Sequence, residues 1–98
     1  MTLHLHFICK QGMGHKKIGD QLFESGDWVV SEKIAEESIG GRIFLHEHQN
    51  ENAWHGGQIT AWRRAHDPIR IIFTFHVDQP FRVKCTENWA QENAVVRV

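Results

Sequence analysis

At 98 residues the chain has room for one domain, spanning 1–98, with a core thin enough that self-association would help to cover it. Eleven basic against 12 acidic residues give a net charge of −1, which argues against nucleic acid or an anionic membrane surface as partner, since both need a concentrated basic face. Two cysteines are too few for a disulfide scaffold, and no apolar run approaches the roughly 20 residues that span a bilayer.

Leu3, Leu5, Phe7 and Cys9 alternate with His4, His6, Ile8 and Lys10, the period of a half-buried strand. The polar, glycine-rich stretch that follows offers Ile18, Leu22 and Phe23 as anchors. Ile18 and Leu22 stand four apart, which suits a turn or two of helix or a long loop. Gly12, Gly14 and Lys16 lack the pattern of a phosphate cradle. Trp28 to Val30 reads as a short strand. Ser31 then caps a helix that runs to about Ile39 and stops at Gly40.

Arg42 to His48 reads as a strand covered on both faces, because Ile43, Phe44 and Leu45 are consecutive. After a turn at residues 49–52, Gln58 to Arg64 forms another strand, with Ile59 and Ala61 on one face and Thr60 and Trp62 on the other. Arg70 to Val77 alternates most cleanly and pairs as a hairpin with Phe81, Val83 and Cys85. Residues 94–98 close the chain as a strand, with Trp89 near the core. The expected fold is α+β: a small, mainly antiparallel curled sheet or partial barrel with one or two short helices.

Two constellations could carry chemistry. Trp54, His55, Trp62 and Arg64 cluster around Gly56-Gly57. Indoles supply stacking faces, glycines allow close backbone approach, and a guanidinium pairs with a carboxylate or phosphate. Together they suit a pocket for a small planar or anionic molecule. The simpler reading makes the tryptophans core and the arginines edge residues. In the other, His46 and His48 stand two apart on a strand and so share a face, as two ligands of a divalent metal would. His4-x-His6 repeats that spacing, and the plainer reading of all four is solvent-facing imidazole. Gly40, His46 and His48 also fit the start of the cupin pattern, but Glu51 falls early, the closing glycine is missing and there is no second motif. No serine or cysteine stands in a recognisable nucleophile motif.

The segments from Ser25 to Arg63 and NWAQENAVV resemble small bacterial proteins carried on mobile integron gene cassettes. That resemblance implies a cytoplasmic protein, often a homo-oligomer, and carries over no catalytic residue. Gly26-Asp27 and Gly57 are similar in placement to glycines framing the barrels of pseudouridine-synthase-related RNA-binding domains, which implies a small barrel. The residues themselves support three functional expectations: a non-catalytic ligand-binding module, a homo-oligomeric interaction module, or a metal-binding protein or cupin-like metalloenzyme using His46 and His48. The thiols of Cys9 and Cys85 are expected to be reduced and buried.

Overall fold

The computed structural model describes residues 3–10, 15–49, 51–67, 70–77 and 93–97. Seven strands, β1 (Leu3–Ile8), β2 (His15–Gly19), β3 (Leu22–Trp28), β4 (Arg42–His46), β5 (His55–Arg64), β6 (Ile71–Val77) and β7 (Asn93–Arg97), form one sheet in the order β2-β3-β6-β5-β4-β1-β7. The β1–β4 pairing is parallel and the others antiparallel. One helix, α1 (Glu32–Ser38), packs against β1 and β5. The described residues are therefore mainly β rather than an even α+β mixture, and they contain one short helix.

The alternation of β1 puts Leu3, Leu5 and Phe7 on the inner face, where they meet Ile43 and Leu45 of β4. Ile59, Ile71, Phe73 and Phe75 from β5 and β6 and Ala35 from the helix complete the core. The sheet curls. Trp28 of β3 stacks on Phe7 of β1 at 4.3 Å between ring centroids, although β6, β5 and β4 lie between those strands. Four interstrand spacings would hold the two strands roughly 19 Å apart in a flat sheet. No pairing joins β2 to β7 among the described residues, so the curl stays open.

The strand expected from Trp28 to Val30 ends at Trp28, and residues 15–26 depart from the expected loop or helical turn. They form a β-hairpin turning at Asp20-Gln21, with Gln21 at φ 57°. Its outer strand, β2, carries exposed Lys16 and Lys17 along the sheet edge, where charge discourages pairing with other chains. Ile18 is 45% exposed and does not anchor a helix.

The helix forms where expected. Ser31 accepts from the Ile34 N–H, Glu32 sits in the first turn, and Gly40 takes φ 88° just beyond the end. The Gly40 N–H donates to Ile59 O and the Ile59 N–H to Gly41 O, which ties the helix exit to β5. Ser31→Ala should cost about 1 kcal/mol in urea denaturation; no loss would mean that the cap hydrogen bond is dispensable.

Strand β5 holds a further difference. A bulge between Ile59 and Ala61 leaves Thr60 as the extra residue, so Ile59 pairs with Phe75 and Trp62 with Phe73 on the same inner face. Ile59 and Trp62 thus share a face, and Ala61 is exposed. The sequence reading carried unbroken alternation through this point and set Ile59 with Ala61. The strand expected at 81–85, Cys85 and Trp89 fall outside the described residues.

Candidate functional site

The structure divides the four residues expected around one pocket into two groups. Trp62 donates its indole N–H to Glu36 Oε1 at 2.9 Å, and Arg64 pairs with Glu32, so both side chains fasten β5 to the helix. Trp54 and His55 lie at the other end of β5. His55 and Trp62 are seven residues apart, roughly 20 Å along a strand. An aromatic pocket completed by Arg64 is therefore not what these four residues form. Gly56 and Gly57 make room for neighbouring strands: an added Cβ would stand 2.4 Å from Ile43 O at Gly56 and 2.0 Å from His76 O at Gly57.

At the Trp54 end the inner face carries a cage of rings. Trp54 is anchored by its indole N–H, which donates to Cys9 O at 2.9 Å, and by its backbone N–H, which donates to Leu45 O at 2.8 Å. It stacks beside His55 at 5.6 Å and meets the edge of His15 at 5.3 Å. His15 also lies 4.9 Å from His55 and 5.5 Å from Phe23, while His55 meets Phe23 and Phe75 edge-on. Phe75 is fully buried, and the other four rings are half-buried. Burial, helped by the neighbouring His15, pushes the His55 pKa down to about 4, so this ring is neutral at pH 7. The Nδ1 atom of His15 is enclosed and has no hydrogen-bond partner among the described residues. Burial raises the Cys9 thiol to about 11, which keeps it an unreactive thiol at neutral pH.

Sequence reasoning missed His15 and Phe23 because β2 and β3 lack an apolar alternation. Only the topology brings them to Trp54.

The histidines expected to hold metal also separate. Strand β4 ends at His46, so the two-residue period that would align His48 with it stops there. His46 is fully buried and His48 is exposed. The partner of His46 is instead His6, whose Nδ1 lies 2.8 Å from His46 Nε2. On its other side, His46 Nδ1 stands 2.9 Å from Glu51 O. A carbonyl only accepts, so His46 Nδ1 carries the proton, Nε2 is the acceptor, and His6 donates from Nδ1. Phe44 stacks on His6 at 4.7 Å. His6 is thus 4% exposed and not the solvent-facing ring that β1 alternation implied. Burial first, then repulsion from His46 and His4, lowers the His6 pKa to about 3; burial also lowers those of His46 and His4. Among the described residues no three His, Cys, Asp or Glu side chains group as metal ligands.

A cavity of about 370 Å³ opens on the outer face beside the β2–β3 hairpin, lined by His15, Lys16, Glu24, Asp27, Arg63 and Ile72 among others. Arg63 grips Glu24 with two hydrogen bonds of 3.0 and 3.1 Å, which hold the Glu24 carboxyl below the usual carboxylate range. The guanidinium at this cavity is already neutralised by the protein.

Comparison with protein families, with curated proteins and with solved structures finds no match. No helix among the described residues is long and apolar enough to cross a membrane.

Proposed function

We propose that this chain is a non-catalytic binding module that takes a small planar, uncharged molecule at the ring cage of Trp54, His15, Phe23 and His55. The observation that carries this reading is four half-buried rings gathered on the inner face at the Trp54 end of β5, an aromatic lining of the kind small-molecule sites use. A neutral His55 brings no charge to the cage, and His15 Nδ1 adds a polar atom that a heteroaromatic ring could satisfy. With Arg64 engaged by Glu32, an anionic ligand finds no guanidinium from β5 here, which favours the planar half of the sequence-based expectation.

The test is a thermal-shift and calorimetric screen with adenine, guanosine, nicotinamide and indole. A compound held at about 100 times its Kd should stabilise the fold by about 2.7 kcal/mol. Trp54→Ala should abolish that gain, whereas Trp62→Ala, at the helix end, should retain it. A screen with no shift, or equal loss in both variants, would overturn the assignment.

A further inference from the structure

A bulge in β3 shapes the cavity on the outer face. Between Ser25, which pairs with Phe73, and Trp28, which pairs with Ile71, two residues of β3, Gly26 and Asp27, stand opposite the single Ile72 of β6. The extra residue interrupts the ladder and bends the strand. A Cβ at Gly26 would stand 2.6 Å from Ile72 Cγ1, so only a residue without one leaves Ile72 as an apolar wall of the 370 Å³ space. Asp27, the other bulged residue, is exposed beside it.

Four charged side chains line this space, and their signs alternate. Lys16 lies opposite Glu24 across the β2–β3 hairpin, and Glu24 grips Arg63 across β6 through two hydrogen bonds. That grip raises the Arg63 pKa, with a smaller push from the Asp27 carboxylate. The inner two charges, Glu24 and Arg63, therefore satisfy each other. The outer two do not. Among the described residues neither the Lys16 ammonium nor the Asp27 carboxylate stands in an ion pair, and Arg70 donates only to the Asp27 backbone carbonyl, at 3.3 Å. The lining thus offers a cation at one end and an anion at the other, with no net charge among the four. The Lys16–Glu24 rung and Asp27 are three residues apart along β3, roughly 10 Å. A simple anion drawn to Lys16 meets Asp27, and a simple cation drawn to Asp27 meets Lys16 and Arg63; a molecule with both charges compensates both ends. From this order of charges around the bulge, we propose that the outer cavity binds a small zwitterion whose ammonium and carboxylate are several bonds apart, as in an ω-amino acid or a free dipeptide. The ammonium sits on Asp27, the carboxylate on Lys16, and the carbon chain lies over Ile72. His15 lines both this cavity and the ring cage, whereas Trp54, Phe23 and His55 do not line the cavity.

The experiment is ¹⁵N NMR titration and calorimetry of the full chain at low ionic strength, with γ-aminobutyrate and alanyl-alanine as probes, each beside its N-acetylated and its carboxamide form. At least one free probe should give saturable shifts at the amides of Lys16, Glu24, Gly26 and Asp27 while the Trp54 indole N–H stays in place. Either capped form should bind about tenfold more weakly, because one charge-assisted contact is gone. Lys16→Gln should weaken the zwitterion about tenfold and leave the carboxamide form, a plain cation, binding as well as the zwitterion does. Asp27→Asn should do the mirror image with the N-acetylated form. Both residues are exposed, so both variants should fold, and their amide spectra check this. No saturable shift from either probe would overturn the site. So would equal binding of free and capped forms, or binding unchanged in both variants. Shifts confined to Trp54 and His55 would overturn it too, while leaving the ring cage as a binding site.

Discussion

Acidification will destabilise this protein steeply, with urea midpoints falling from about pH 6.5 downward. His6 and His55 are held neutral in the fold, at about 3 and about 4, against 6.5 for a free imidazole. His4 and His46 are lowered in the same direction. Unfolding therefore takes up protons between 6.5 and those values. The stabilisation is fully present above 6.5 and is lost as the pH falls toward 3. Each fully shifted ring contributes about 1.4 kcal/mol per pH unit in that window. For His6 and His55 together the loss by pH 4 is roughly 6 kcal/mol, comparable with the whole stability of many small domains. Urea unfolding followed at several pH values measures this directly. A midpoint constant down to pH 4 would show that the rings are charged or hydrated in the fold.

Gly57→Ala should be a severely damaging single-methyl change. The added carbon would stand 2.0 Å from the His76 carbonyl oxygen and 2.7 Å from its carbon, and both belong to the β6 backbone. Neither can move without breaking the β5–β6 ladder, on which Ile59, Phe73 and Phe75 of the core depend. We expect a loss above about 4 kcal/mol, seen as insoluble or unfolded protein. Gly40→Ala is the control. Nothing lies within 4 Å of its added carbon, and its φ of 88° leaves only the left-handed penalty of about 1 kcal/mol. Comparable losses at the two positions would show that the close approach at Gly57 is relieved by sheet movement.

Much of the sheet was legible because its central strands alternate. Leu3, Leu5 and Phe7, and Ile71, Phe73 and Phe75, were placed inward by period alone, and they are inward. The helix announced itself through Ser31 and Gly40. The β2–β3 hairpin was hidden because an edge strand exposes most of its side chains, so HKKIG has no apolar rhythm to read. The candidate site was half legible. Trp54 and His55 are adjacent in sequence and in space, but their ring partners come from that hidden hairpin. The pairing of His6 with His46 was equally out of reach. It arises from β1 lying parallel to β4, a crossover that no local pattern encodes.

The extra residue in β5 has a consequence for engineering. Because Thr60 is inserted between two segments that each keep their own facing, removing it would leave Ile59 and Trp62 pointing inward and Ala61 outward. What would change is shape: such insertions sharpen local bending and coil, so the shortened chain should be a flatter molecule with an unaltered pattern of apolar and polar positions. Curvature and patterning could thus be varied independently in this protein by deleting a single threonine.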